Sequence, residues 1–368
     1  MAKAAILSGL EQPLEVRDIE LEAPHAGEVK VRLAASGVCH SDLSVQNGTI
    51  PLPTPIVLGH EGAGVVEEIG EGVTTVKPGD HVVLSYVPQC GNCYSCKRGQ
   101  GYMCEKAGAA VTGGMLDGTS RVKDSDGSNL FVMAHLGTFS ETSIVPEISV
   151  VKIDNDVPLK LASLLGCGVQ TGVGAALNTA DIKEGDTVAI IGCGGVGLNA
   201  IQGARIAGAS EIIAVDQNET KLQMAKEFGA TTGINATEKD PVSAIFDLTG
   251  DRAGVDVAFE VIGLQKTIEQ AMQITRRGGE TILVGVPRLD VNLTINPAFQ
   301  LVYTGKTVKG CWYGSSNVQQ SVPMLLDLWK KGDLKLEELI SRTISVNDIN
   351  EAFEAMKGGE VARSVIEY

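Results

Sequence analysis

The sequence predicts an α/β chain built in two parts, a β-rich domain and a doubly wound parallel sheet. Three observations carry that expectation. Short β-branched runs punctuated by Gly and Pro fill the stretch up to about Leu84, strand-like and helix-like segments alternate from about Gly185 onward, and 368 residues exceed one ordinary domain. With 43% hydrophobic and 20% charged residues the chain has core material for both parts, which excludes disorder.

Taken in order, VKVRLAASGVC, PIVLGHEGAGVVEEIG and VKPGDHVVL read as strands joined by turns, and the Pro-Gly pair within Lys77 to Asp80 forms a turn by its own chemistry. The expected form is a barrel or folded sheet. From Tyr86 to Ser140 periodicity fades while Cys, Gly and Ser accumulate, so this lobe needs a source of rigidity other than a core. TVAIIG (Thr187 to Gly192) is then a buried strand, VGLNAIQGARIAGA a helix, and EIIAVD (Glu211 to Asp216) a second strand ending on an acid. A helix over Lys221 to Phe228, a strand over Val255 to Val261, a helix over Lys266 to Arg276 and a strand over Thr281 to Val286 continue the alternation, which implies a parallel sheet with helices on both faces. Helices are expected near Val318 to Lys331 and Asn347 to Met356. The apolar tail SVIEY is too short for a domain and is expected to rejoin the first one.

Charge narrows the partners. Against 30 Lys and Arg stand 45 Asp and Glu, a net −15 that repels phosphate backbones and anionic headgroups, so neither nucleic acid nor a membrane surface is expected. No apolar run reaches the ~18 residues of a membrane span. The apolar stretch before Glu11 is too short for a secretion signal, so the expected compartment is the cytoplasm, where eight cysteines stay reduced and clustered ones bind metal.

Half of those cysteines cluster. Cys90, Cys93, Cys96 and Cys104 follow C-x2-C-x2-C-x7-C within the irregular lobe. Four thiolates surround a tetrahedral Zn²⁺ at ~2.3 Å and leave no position for substrate, so the expected site is structural. An iron–sulfur cluster, also held by four thiolates, is the competing reading.

Gly192, Gly194, Gly195, Val196 and Gly197 give G-x-G-x-x-G between an apolar strand and a helix. The first Gly turns the chain, the second lets backbone approach a pyrophosphate, and the third lets helix and strand pack. Phosphates then sit at the helix amino terminus. Asp216, nineteen residues after Gly197, ends the next strand, where a carboxylate accepts the adenosine ribose hydroxyls and repels a 2′-phosphate; NAD is therefore expected over NADP. The competing role for Asp216 is to cap the helix that follows.

Three further candidates are scattered: Cys39 in GVCHSD, His60 in GHEGAGVV and Cys167 in LLGCGVQTGVGAAL. Spacing alone does not unite them, and a lone Cys in an apolar segment is ordinarily buried filler. Together with the cysteine lobe, GCG-x-x-TG-x-GA-x-x-N, GCGGVGL and the acid after it, these motifs stand in the order and spacing of the zinc-dependent medium-chain alcohol dehydrogenases. The chain resembles that family along almost its whole length, especially the horse-liver-like branch, which shares the lobe and the extra segment MLDGTSRVKDSDG (Met115 to Gly127).

The resemblance implies a GroES-like catalytic domain over residues 1–168 with its zinc lobe at about 86–105, a Rossmann NAD-binding domain over 169–311, and a return to the catalytic domain over 312–368. It makes Cys39, His60 and Cys167 the ligands of a second, catalytic zinc. Two thiolates and a neutral imidazole cancel the metal's charge, giving a moderate Lewis acid with one open position. Asp42 then orients the His60 imidazole, and Glu61 stands beside it. Ser41 matches the hydroxyl that takes the alcohol proton, although the His that ends this relay in many relatives is here Ser44. His40, Lys221 and Arg363 match positions touching the cofactor's phosphates and ribose, and Tyr86 a wall of the substrate pocket. Each of these has a plainer alternative as a loop, surface or packing residue.

The implied activity is reversible, NAD-dependent oxidation of small-molecule alcohols, primary and bulky or benzylic, to aldehydes or ketones, with two zinc ions per subunit of a homodimer or homotetramer. Oxidation of S-(hydroxymethyl)glutathione is one alternative; against it stand Ser41, where that branch carries Thr, and the absence of Arg between Cys104 and Gly114. A dehydrogenase that keeps its NAD(H) bound is another. A zinc-stabilised, NAD-binding redox sensor without catalysis is a third.

Overall fold

The computed structural model describes residues 2–359 and 362–368. Two compact units divide the chain. One takes the residues up to Cys167 with Asn317–Lys331 and Leu336–Tyr368; the other holds Gly168–Ser316 and Gly332–Lys335.

In the first unit the long strand Glu28–Val38 organises a sheet. It pairs antiparallel with Glu61–Ile69, with Thr142–Pro146 and with Arg363–Glu367. Alternate residues Val29, Val31 and Leu33 point to one face, where they meet Val66, Val82, Leu84, Val145 and Val150, as the two-residue period of a strand requires. The tail therefore lies beside Val38, with Ser364 opposite it. A smaller sheet runs in the order Val122–Asp124, Glu15–Leu21, Ala2–Leu7, Ile56–Val57 and Phe131–Val132. The segment Met115–Gly127 is tied down by Arg121, which is buried and holds Glu28 with two nitrogens at 2.8 and 2.9 Å and Asp117 at 2.6 Å. A bidentate guanidinium is suited to such a buried clamp.

The second unit is a six-stranded parallel sheet ordered Thr232–Asn235, Glu211–Asp216, Thr187–Ile191, Val255–Glu260, Thr275–Leu283 and Thr307–Gly310. Numbered along the chain this is 3-2-1-4-5-6, the doubly wound order, with its reversal between Thr187–Ile191 and Val255–Glu260. Ile191, Ile213, Val215, Val255 and Ala258 of the sheet pack with Ile245, Ala271 and Ile274 of its helices.

Several elements differ from the sequence expectation. Strand Thr232–Asn235, helix Pro241–Thr249 and edge strand Thr307–Gly310 are additional. The fifth strand begins at Thr275, not Thr281, because Gly278 at φ +73° lets the chain bend within it, and helix Gln265–Ile274 ends correspondingly early. Among the described residues no helix is long and apolar enough to cross a membrane.

Candidate functional site

Cys39 ends the run of strand Glu28–Val38 and stands at the amino terminus of helix His40–Gln46. That junction fixes Asp42, on the first turn and fully buried. The Asp42 carboxylate accepts from the Cys39 backbone N–H at 2.8 Å through Oδ2 and from His60 Nδ1 at 2.9 Å through Oδ1. With its proton on Nδ1, the His60 imidazole leaves Nε2 as a bare acceptor. That atom is buried and has no hydrogen-bond partner.

What Nε2 faces explains why it is left so. Ligand atoms of Cys39, His60, Glu61 and Cys167 all lie within 4.8 Å of one another, and all four residues are buried. Two sulfurs, an imidazole nitrogen and a carboxylate are donors that suit a zinc site, and a buried nitrogen without a hydrogen-bond partner among them fits a ligand held ready for the metal. The electrostatics agree. Cys39 is held well below the usual thiol range, first by its hydrogen bond with Cys167 and further by His60 and Arg363, while Cys167 is raised. Burial works to lower His60, but Asp42 and Cys39 outweigh it and raise the imidazole well above its ordinary value. Asp42 and the Cys39 sulfur thus favour positive charge at this place, either a proton on the imidazole or a metal ion on its bare form.

Glu61 carries a charge partner of its own. Burial raises its carboxyl to about 7 against the pull of Arg363, whose guanidinium donates to Glu61 Oε2. Arg363 is only 6% exposed, so it is no surface cation, and its charge is engaged by Glu61. Gly37 makes room for this pair, since a Cβ there would fall 2.2 Å from Glu61 Oε2. Ser41 Oγ lies 3.8 Å from Cys39 Sγ. Tyr86 sets its ring at 5.7 Å and 89° to the His60 ring while also packing on two hydrophobic clusters. His40 is exposed at the start of its helix, and Ser44 is half-buried on the same helix.

The four lobe cysteines also converge, with their sulfurs within 4.8 Å. Short helix Tyr94–Lys97 begins at Cys93, whose sulfur accepts from the Cys96 N–H at 3.5 Å, as the Cys104 sulfur does from the Cys90 N–H at 3.5 Å. Backbone N–H bonds from Glu105 and Cys96 bring Cys93 down to about 6, whereas burial takes Cys96 up to about 12. In a third group of possible ligands, His25, Glu28 and Asp117, both carboxylates are already engaged by Arg121, and His25 and Asp117 are exposed.

In the second unit Gly192 adopts φ +101°, where an L side chain is strained, and helix Gly195–Ile206 starts directly after Gly194. A Cβ on Gly197 would sit 1.8 Å from the Gly192 carbonyl oxygen, while one on Gly194 would meet nothing within 4 Å. The turn is thus closed on the protein side and open at Gly194, next to the free N–H groups of the helix, as a phosphate cradle must be. Asp216 does not cap the following helix: Asn218 does, accepting from the N–H groups of Thr220 and Lys221. The Asp216 carboxylate instead accepts from Cys193 N–H of the glycine turn at 2.8 Å and from Asn218 N–H at 3.0 Å, and stays partly exposed. Lys221 is half-buried on the same helix.

Sequence reasoning overlooked two buried groups here. The Thr171 hydroxyl, in helix Gly168–Gly174, is buried without a hydrogen-bond partner. Glu260 is a fully buried carboxylate at the end of its strand; the run VAFE ending on an acid carried the same signal as IAVD and was legible.

Comparison with known proteins adds an independent line. Residues 25–155 match the family described as alcohol dehydrogenase GroES-like domain, and residues 195–331 the family described as zinc-binding dehydrogenase. The chain is 41% identical to an S-(hydroxymethyl)glutathione dehydrogenase of Paracoccus denitrificans, over 100% of this chain and 99% of that protein. It is also 41% identical to one of Saccharomyces cerevisiae, over 99% and 95%. Among solved structures, an alcohol dehydrogenase zinc-binding domain protein from Burkholderia ambifaria superposes with a TM-score of 0.94 at 36% identity, covering 100% of this chain and 98% of that one. Benzyl alcohol dehydrogenase from Acinetobacter calcoaceticus does so with 0.91 at 33%, covering 100% and 99%.

Proposed function

Since the chain belongs to the zinc-dependent medium-chain alcohol dehydrogenases, whose cofactors are zinc and NAD, we propose that it oxidises primary, bulky or benzylic alcohols reversibly to aldehydes, and that Cys39, His60 and Cys167 hold the zinc that serves this chemistry. The single observation that carries the reading is the unpartnered His60 Nε2 buried among Cys39, Cys167 and Glu61. When bound, zinc supplies Lewis acidity that makes an alcohol proton easy to remove, and NAD accepts the hydride.

The protein's part is then assigned residue by residue. Asp42 fixes the His60 tautomer and ring orientation. Ser41, beside Cys39, takes the alcohol proton, and with Ser44 where many relatives have His, solvent takes it onward. Arg363 holds the Glu61 carboxylate next to the ligand atoms. Tyr86 walls the substrate side against His60. Gly192 to Gly197 receive the cofactor's phosphates, and Asp216 its adenosine ribose, which selects NAD. Cys90, Cys93, Cys96 and Cys104 hold a second, structural zinc. A homo-oligomer is part of the reading, supported by exposed Phe299, Val302 and Tyr303 near edge strand Thr307–Gly310. So is a reducing, cytoplasmic location, supported by eight free cysteines.

The relatives named for S-(hydroxymethyl)glutathione favour a second reading, in which that adduct is the substrate. Ser41 and the lack of Arg between Cys104 and Gly114 keep alcohols first. An absorbance scan of the purified protein, followed by benzyl alcohol or S-(hydroxymethyl)glutathione with and without added NAD, tests both. NADH formation with benzyl alcohol is expected; turnover of the glutathione adduct alone would refute it, and reduction confined to already bound cofactor would show that NAD does not exchange.

A further inference from the structure

Strand Val255–Glu260 ends on a carboxylate that neither the metal ligands nor the glycine turn accounts for. Glu260 is fully buried. Its Oε1 accepts from the N–H groups of Ile262 at 2.9 Å and Gly263 at 2.8 Å, and the Thr267 hydroxyl lies 2.7 Å away. Its backbone carbonyl accepts from the N–H groups of Val284 at 2.8 Å and Gly285 at 3.0 Å. Oε2 has no hydrogen-bond partner. One residue therefore ties the turn after its own strand to the turn after the neighbouring strand Thr275–Leu283.

Both turns stand at the carboxyl end of the parallel sheet, the first of them where the strand order reverses, the place at which open α/β sheets take their ligand. They are packed closely. A Cβ on Gly192 would lie 2.6 Å from Ile262 Cγ1, and one on Gly285 would lie 2.2 Å from Gly263 N. Ile262 is thus the direct neighbour of the glycine turn, and its own N–H is anchored on Glu260. A carboxyl group taken wholly out of water with one oxygen unsatisfied is a costly way to close a turn. A residue kept there at that cost, on the ligand-taking edge, points to a duty beyond closing it.

We propose that Glu260 is a positioning residue for the dinucleotide. It fixes Val261 to Gly263 against the Gly192 turn, so that the cofactor meets a preformed wall and does not have to order one, which lowers the entropic cost of binding. This rests on the reading that the second unit takes NAD. The consequence of losing the tether falls on cofactor affinity, while the metal ligands, which lie in the other unit, keep their arrangement.

The test uses zinc-loaded, cofactor-stripped protein carrying Glu260→Ala, Glu260→Gln or Thr267→Val, with three readouts: NADH affinity by fluorescence titration, amide hydrogen exchange of residues 261–263 without cofactor, and KM for NAD against kcat. Glu260→Ala is expected to weaken NADH binding and raise the KM for NAD by about tenfold, with kcat within about twofold and exchange of the turn accelerated. Glu260→Gln keeps an acceptor at Oε1 and is expected to restore affinity to within about threefold. Equal NADH affinity and equal exchange in wild type and Glu260→Ala overturn the proposal, as does a Gln variant that behaves like Ala. Should Glu260→Ala fail to fold, Thr267→Val decides: a loss of about two- to fivefold supports the tether, and no loss overturns it. A wild-type protein that binds no NADH overturns the cofactor reading itself, an outcome distinct from equal binding by wild type and variant.

Discussion

Replacing Asp42 by Asn preserves volume and removes one acceptor, which makes it a sharp probe of the buried cluster. The carboxylate serves two donors, Cys39 N–H at 2.8 Å and His60 Nδ1 at 2.9 Å. Asn offers one oxygen and one NH₂, so one of the two donors must face another donor. A backbone N–H cannot change its nature, but an imidazole can move its proton. The variant therefore accepts from Cys39 and drives His60 to the tautomer with its proton on Nε2, the atom that a metal needs bare. Binding must reverse that tautomer against two opposed N–H groups, which costs about 1.4–2.8 kcal/mol, or about 10- to 100-fold in zinc affinity. Zinc content measured after dialysis against a graded chelator gives the comparison. The variant is expected to fall from about two zinc ions per chain toward about one at a chelator strength where wild type keeps both, because no lobe ligand touches Asp42. Identical chelator curves would refute the reasoning.

Asp216→Asn keeps an acceptor for Cys193 N–H but drops the charge, so the preference for NAD over NADP in kcat/KM is expected to narrow about tenfold or more; an unchanged ratio would remove the ribose assignment. Cys96→Ser is expected to abolish zinc binding in the lobe and open it to proteolysis, checked by metal content and limited digestion. His135, fully buried, is held down to about 3 by burial, so it stays neutral in the fold but binds a proton once unfolded. Its folded value lies below its unfolded one, and the stability it permits is complete above about pH 6.5 and declines as pH falls toward 3. Between pH 7 and pH 5 the loss from this one group is about 2 kcal/mol. His135→Asn, a residue that tolerates the φ of +51° there, should flatten the difference between denaturation midpoints at the two pH values; parallel pH dependences in both proteins would defeat the claim.

What could be seen in the sequence depended on how locally the chemistry is written. The four lobe cysteines and the glycine turn are contiguous, so spacing alone announced them. Cys39, His60 and Cys167 carry no mutual spacing signal, because a sheet and two helix starts bring them together; only resemblance joined them beforehand. The Glu61–Arg363 pair, 302 positions apart, was beyond any local pattern, whereas Asn218 directly before helix Glu219–Phe228 is a local capping signal that relieves Asp216 of that role. Some misses were avoidable. Asp240 followed by Pro241 is a helix start by its residues alone, with the Asp side chain accepting from Ser243 N–H as a cap does. Strand Thr275–Leu283 was harder, since Arg276 to Gly279 reads as a turn, and pairing with Val255–Glu260 overrides that local preference through a bulge.

The pairing of Arg363 with Glu61 also sets a timetable for biosynthesis. Glu61 leaves the ribosome 302 residues before its partner, and strand Arg363–Glu367 must then slot in beside a strand made equally early. At about 5–20 residues per second the nascent chain spends roughly 15–60 s with one edge of strand Glu28–Val38 uncovered and a buried acid lacking its counter-charge. The second unit, continuous from Gly168 to Ser316 apart from one short return, has that interval in which to fold first. The cluster of Cys39, His60, Glu61 and Cys167 thus gains its Arg363 partner only after the second unit has been made, and a nascent chain held short of Arg363 presents an open sheet edge to chaperones and proteases.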